Sequence, residues 1–312
     1  MTPDSPKKVL LVALGGNALI KKGQKGTLSE QFANLREPMQ QIARLSRQYR
    51  LIITHGNGPQ VGDLLLRQEA LPELSHHPLE ILVAQTQGWL GYMIESTLDG
   101  ELTRLGVDLK SSLVSLLSYV VVDENDSAFK NPTKPIGPVL TPEQVKRADY
   151  PVTQTAKGPR RVVASPKPIT IVEKREIKTL IRNGFIVICC GGGGIPVVRE
   201  GRGFAGVDAV IDKDLASAKL AEDVGVDIFC IATDVPGLAL DYGTPKERFL
   251  DEVSKKEAYD YLKTGQFPPG SMGPKVEACI KVLENGGQRT FICSTDEITK
   301  ALDQKAGTHF SL

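Results

Sequence analysis

Val9-Leu10-Leu11-Val12-Ala13-Leu14 runs straight into Gly15-Gly16-Asn17, an apolar strand ending in a glycine turn that opens onto a helix. The arrangement recurs twice. Leu51-Ile52-Ile53-Thr54 leads to Gly56-Asn57-Gly58, and Phe185-Ile186-Val187-Ile188-Cys189-Cys190 leads to Gly191-Gly192-Gly193-Gly194. Glycine lacks a Cβ, so the backbone N–H groups of such a turn can approach an oxyanion closely. A helix starting just beyond adds unpaired N–H donors and the positive end of its dipole. On one parallel sheet these turns would converge at the carboxyl ends of the strands, where open α/β sheets bind ligands. One glycine turn needs no explanation beyond chain geometry. Three of them, each behind a long apolar strand, point to anion binding and so to phosphate chemistry.

Outward from these turns, strand and helix patterns alternate, which predicts an α/β fold with a largely parallel sheet. Strands are expected at 8–14, 50–54, 112–121, 185–190, 226–232 and 288–293. Helices are expected near 30–48, 59–70, 79–105, 172–183, 213–224, 253–263, 273–285 and 296–303. The 79–105 helix holds more apolar residues than one core face needs, which fits either a buried helix or a subunit interface. From Asp123 to Pro168 the alternation stops, and eight prolines (Pro132, Pro135, Pro138, Pro142, Pro151, Pro159, Pro166 and Pro168) interrupt any long helix. An insertion of this length reads as a lid or small subdomain that buries little core. It divides an N-terminal lobe, 1–122, from a C-terminal lobe, 169–312, with the protruding segment 123–168 between them.

The 312 residues carry a net charge of +1, with 41% hydrophobic and 24% charged residues. This is an ordinary globular composition, and it gives no sign of a nucleic-acid or membrane surface. No apolar run approaches the roughly 20 residues needed to span a bilayer, and the polar N-terminus has no signal-peptide core. The five cysteines, Cys189, Cys190, Cys230, Cys279 and Cys293, lack C-x-x-C spacing, and three lie in apolar strand-like runs. A reducing cytoplasm is the expected compartment, and the Asn125-Asp126-Ser127 sequon is then accidental.

Other motifs fail on context. Gly201-Arg202-Gly203-Phe204-Ala205-Gly206 matches a dinucleotide fingerprint in letters, but it follows Arg199-Glu200 and no helix opens from it. A hairpin turn is the better reading. There is no P-loop and no nucleophile elbow. Of the four histidines, His76-His77 form an adjacent pair on a polar loop, His309 is near the terminus, and His55 sits beside a glycine turn without partner ligands in sequence.

What remains is a set of lysines. Lys134 lies in Asn131-Pro132-Thr133-Lys134-Pro135, where prolines stiffen the backbone; Lys213 lies in Asp212-Lys213-Asp214-Leu215 at a helix start. Lys275 lies in Gly270-Ser271-Met272-Gly273-Pro274-Lys275, a glycine turn with proline at a helix start. A lone lysine is normally a solvated surface charge. Phosphoryl transfer is the chemistry that uses several, because negative charge spreads over the transferred oxygens. Asp214 could hold two of them by ion pairs, or simply act as an N-cap or first-turn carboxylate.

At this level of detail the chain resembles the carbamate kinases of the amino acid kinase superfamily. The resemblance runs in order through Ala13-Leu14-Gly15-Gly16-Asn17-Ala18-Leu19, His55-Gly56-Asn57-Gly58-Pro59-Gln60-Val61-Gly62, Gln87-Gly88-Trp89, the Lys134 motif and Arg160-Arg161-Val162-Val163. It continues through Gly192-Gly193-Gly194-Ile195-Pro196, the stretch from Gly206 to Ala216, Thr233-Asp234-Val235 and the Lys275 motif. It implies a three-layer αβα sandwich around a mainly parallel sheet with a small protruding subdomain, and a homodimer. It also implies a reversible reaction, ATP + carbamate ⇌ ADP + carbamoyl phosphate, with Mg²⁺ held mainly by nucleotide phosphates and no protein metal ligands. The family's use is to make ATP from carbamoyl phosphate in arginine and nitrogen catabolism. By the same likeness Lys134, Lys213, Asp214 and Lys275 are the catalytic set. Gly15, Gly16, Asn17, Gly56, Asn57 and Gly58 cradle the transferred phosphoryl group and carbamate. Thr233, Asp234, Val235, Tyr242, Met272 and Gly273 lie by the nucleotide. Acetylglutamate-type kinases have a lysine two residues before the first Gly-Gly; here that residue is Ala13, and Lys134 looks like the replacement. Pro159 departs from the pattern, standing where an aromatic residue would be expected. Two alternatives are another amino acid kinase, acting on acetylglutamate or a nucleoside monophosphate, and a non-catalytic binding protein with the same fold. The intact lysine set argues against the second.

Overall fold

The computed structural model describes residues 7–21, 23–70, 73, 75–107, 113–155, 158–267 and 270–312. An eight-stranded sheet forms its centre, in the order Glu252–Ser254, Thr308–Ser311, Arg289–Ser294, Ile228–Thr233, Val9–Leu14, Arg50–His55, Ile186–Ile188, Leu113–Ser115. All neighbours pair in parallel except Thr308–Ser311 against Arg289–Ser294.

Alternation along Val9–Leu14 explains why both faces are covered. Leu11 and Ala13 pack on one side with apolar residues of the helices Lys174–Arg182, Lys213–Val224 and Met272–Glu284. Leu10, Val12 and Leu14 pack on the other with Leu28–Leu45, Leu79–Arg104 and Ile298–Leu302. The result is the α/β fold that the alternating pattern predicts, in the αβα sandwich that the resemblance implied. Local signals set the helix limits. Thr27 and Ser254 close capping boxes with Glu30 and Glu257, and Gly225, at φ 78°, ends Lys213–Val224. Among the described residues, no helix is long and apolar enough to cross a membrane.

The stretch expected as one strand, 112–121, is two. Residue 112 lies outside the described residues; Leu113–Ser115 joins the large sheet, and Tyr119–Val121 joins a four-stranded sheet with Gly203–Gly206, Ile195–Glu200 and Thr170–Ile171. The chain crosses over at buried Ser118, whose N–H donates to Gln87 Oε1 at 2.9 Å and whose hydroxyl accepts from Cys190 N–H at 3.0 Å. An apolar run hides this break, because the backbone groups freed at the bend are satisfied by distant partners. Gly201-Arg202 is the two-residue turn of the Ile195–Glu200/Gly203–Gly206 hairpin.

The proline-rich segment is not structureless. Lys134–Ile136, Gly158–Val163 and Val152–Thr155 form a three-stranded antiparallel sheet, with Pro135 on an edge strand, where a missing N–H is tolerated. Contrary to the expectation of little core, Ile136 and Val163 are buried in a cluster with Val61, Leu65, Leu79 and Leu82. Gly62 permits the contact: a Cβ there would lie 2.0 Å from Gly137 Cα. Arg161 adds an ion pair to Glu69 at 3.1 Å and stacks over Tyr150. The apolar excess of Leu79–Arg104 has a similar cause, since the helix packs into this cluster and into the sheet's core together, leaving Ile81 and Tyr92 exposed.

Candidate functional site

The three glycine turns lie at the carboxyl ends of neighbouring parallel strands. Gly15 N–H donates to Ala232 O at 2.8 Å, Gly56 N–H to Leu14 O at 3.0 Å, and Cys189 N–H to Ile53 O at 3.0 Å. Their roles differ. Gly16 and Gly58 face open space or a single distant neighbour, so a ligand could approach their backbone. Gly191, Gly192 and Gly193 are buried, and a Cβ on each would strike His55 Nε2 at 2.3 Å, Asn57 Nδ2 at 2.0 Å and Ile211 O at 2.3 Å. The third turn therefore supports the second from behind instead of offering its own anion surface. Asn17 lies in the short 3₁₀ helix Gly16–Ala18. Asn57 precedes the helix Gly58–Glu69 and spends its side chain on Thr86 Oγ1 at 2.9 Å, not on a cap.

The lysines meet on the same end of the sheet. Lys213 opens the helix Lys213–Val224, and Lys275 lies in the first turn of Met272–Glu284. Asp214 holds both, with Lys213 Nζ 2.5 Å from Oδ1 and Lys275 Nζ 2.8 Å from Oδ2. Lys213 Nζ also donates to Ala13 O at 3.3 Å, directly below the first glycine turn. Lys134, reaching in from the proline-rich segment, pairs with Asp212. Three ammonium groups thus face two carboxylates, leaving one net positive charge beside the turns.

Burial works to raise the Asp214 carboxyl, but Lys213 and Lys275 outweigh it and hold it well below the usual carboxylate range. Burial pushes the Lys213 ammonium below its ordinary value, only partly offset by Asp214. It acts on Lys275 the same way, yet there the attraction of Asp214 wins and the net displacement is upward. Two lysines of unlike proton affinity share one carboxylate.

His55 was set aside in the sequence for want of partners, and the structure shows what it does. Its Nδ1 lies 3.1 Å from Gly56 O, and a carbonyl only accepts, so Nδ1 carries the proton. Burial, aided by Lys213, pushes its pKa down to about 4 from 6.5. The imidazole is a neutral strut between the second and third turns. A buried neutral histidine gives the unfolded state the greater proton affinity, so stability is expected to fall as pH drops from 6.5 towards 4. Between pH 7 and 5 the loss should be about 2 kcal/mol. Melting curves at both values check it: His55→Gln should lose most of this slope, leaving only a share from His309, which burial also lowers. An unchanged slope in His55→Gln would place the titration elsewhere.

On the other side of the lysines, Thr233 ends the strand Ile228–Thr233, and its hydroxyl donates to Asp234 Oδ1 at 3.1 Å. Asp234 is exposed and adds to the upward pull on Lys275; Val235 is half-buried beyond it. Met272 and Gly273 form the helix start that presents Lys275. Tyr242 stands 61% exposed on the turn joining Ala239–Leu240 to Arg248–Phe249. His76 and His77 line a cleft of about 290 Å³ with Glu69, Arg161 and Asp208, and the described residues contain no group of three side chains suited to a metal.

The model of the Amino acid kinase family matches residues 8–294. The chain belongs to the amino acid kinase family. Its relatives include carbamate kinases. The one from Pyrococcus furiosus is 47% identical, over 96% of this chain and 98% of its own. That of Haemophilus influenzae is 44% identical, over 97% and 96%. Among solved structures, carbamate kinase from Giardia lamblia bound to AMP-PNP superposes with a TM-score of 0.88 at 37% identity, over 98% of each chain.

Asp212 has no place among the site residues expected from the sequence. It is Asp212, not Asp214, that caps the helix, accepting N–H groups of Asp214 at 2.9 Å and Leu215 at 3.3 Å. The signal was present: an aspartate immediately after the apolar run Ala209-Val210-Ile211 and before a helix.

Proposed function

We propose that this chain catalyses ATP + carbamate ⇌ ADP + carbamoyl phosphate. The observation that carries the reading is the Lys213–Asp214–Lys275 cluster set against the Gly15 and Gly56 turns, in a chain that resembles carbamate kinases over nearly its whole length. A carbamate oxygen attacks the γ-phosphorus, the bond to the β–γ bridging oxygen breaks, and ADP leaves. Carbamate is already an anion at neutral pH, so no general base is required, which suits a site whose nearby histidine is buried and neutral. The protein's work is to align two anions and offset their repulsion with ammonium groups and backbone N–H dipoles. Lys134, Lys213, Asp214 and Lys275 are the catalytic set. Gly15, Gly16, Asn17, Gly56, Asn57 and Gly58 hold the transferred group, and Thr233, Asp234, Val235, Tyr242, Met272 and Gly273 lie along the nucleotide.

Mg²⁺ fits this site on the nucleotide. Asp212 and Asp214 are occupied by lysines, leaving the phosphate oxygens and water as its ligands. There it would supply charge neutralisation between the β- and γ-phosphates. The segment 123–168 is a lid that brings Lys134 to the substrates, between an N-terminal carbamate lobe and a C-terminal nucleotide lobe. Exposed Ile81 and Tyr92 on Leu79–Arg104 support a homodimer, and five buried, unlinked cysteines support a cytoplasmic setting.

An acceptor panel tests the reading against its cousins. ATP offered with carbamate, N-acetylglutamate or UMP should give ADP with carbamate alone. ADP formed with either of the others, and not with carbamate, would assign the site to another amino acid kinase. No ADP with any acceptor would mean a binding protein.

A further inference from the structure

Asp212 sits where three parts of the fold join. Its backbone follows Ile211, whose carbonyl packs against Gly193 so closely that a Cβ there would lie 2.3 Å away. Val210 N–H donates to Ala164 O at 3.0 Å, tying the residues just before Asp212 to the returning end of the proline-rich segment. One carboxylate oxygen, Oδ1, caps the helix that carries Lys213 and Asp214. The other, Oδ2, receives Lys134 Nζ, and both side chains are largely shielded from water, with 11% and 22% of their surface exposed. Adjacent carboxylates thus divide the lysines: Asp214 takes the two on helices of the C-terminal half, and Asp212 takes the one delivered from outside.

We propose that Asp212 is a positioning residue for Lys134, fixing the ammonium of the protruding segment to the start of the Lys213–Val224 helix so that all three lysines form one charged surface. The proposal rests on the phosphoryl-transfer reading above. Lys134 hangs from a short edge strand and has several rotatable bonds, so its ammonium keeps one place only if something holds it. The competing role is capping alone. Asparagine separates the two, because it caps a helix as well as aspartate does but has no charge to hold an ammonium.

The first measurement does not need catalysis. Acetylation of Lys134 by an N-hydroxysuccinimide ester, followed by peptide mass spectrometry, should run about two- to fivefold faster in Asp212→Asn than in the wild type, the scale of losing a part-buried ion pair. The second is kinetic. Asp212→Asn should lower kcat about tenfold or more, with its melting temperature near that of the wild type. In a Lys134→Ala background the same change should cost less than about twofold, because residues acting as one unit are not additive. Asp212→Ser, another capping residue without charge, should repeat the pattern if the asparagine variant folds poorly. Equal acetylation rates, wild-type turnover in Asp212→Asn, or losses that multiply in the double variant would each reduce Asp212 to a cap. A wild type that makes no product but shows faster labelling in the variant would remove the phosphoryl-transfer reading while leaving the ion pair in place.

Discussion

Replacing Lys213 or Lys275 by alanine is expected to lower kcat by on the order of 10²–10³, the scale of removing one preorganised donor to transition-state charge. Each ammonium is held within 2.8 Å of Asp214, and Lys213 is also held against Ala13 O, so neither needs to reorganise as charge builds on the transferring group. Either substitution leaves Asp214 with one lysine and removes the repulsion between two ammonium groups, so folding should suffer less than turnover. Steady-state kinetics beside melting curves will show this; near-normal kcat in both variants would mean the wrong lysines have been chosen.

Asp214→Asn should be worse for the fold. Removing one partner of a buried ion group strands the others, and such losses run to about 3–5 kcal/mol. Lys275 opposes the charged state of Lys213, and in the variant the carboxylate of Asp214 no longer offsets it. Lys213, already displaced downward by burial, should fall further, so the alkaline limb of the kcat profile should move to lower pH. A variant with wild-type stability and an unmoved alkaline limb would show that the carboxylate does not organise these lysines.

The elements most legible in the sequence were those whose signals are local. Helix 213–224 was legible from its pattern, and Asp212 before it and Gly225 after it are the local signals that set its limits. The convergence of the glycine turns followed from parallel pairing of apolar strands. Long-range effects were not legible. The break at Ser118 depends on Gln87 and Cys190, far along the chain, and the burial of Ile136 and Val163 depends on a glycine in another helix. His55 looked unpartnered because its partners are backbone atoms of glycine turns. The third turn looked like an anion site because a glycine that admits a phosphate and one that admits a neighbouring side chain are the same letter.

The most direct test of the account is ATP formation from ADP and carbamoyl phosphate by the purified, folded protein. The reading requires ATP to appear in proportion to enzyme and to depend on Mg²⁺. Acetyl phosphate should be a far poorer donor, because the methyl group cannot satisfy partners built for an amide N–H₂. Folded protein that makes no ATP under these conditions would contradict it.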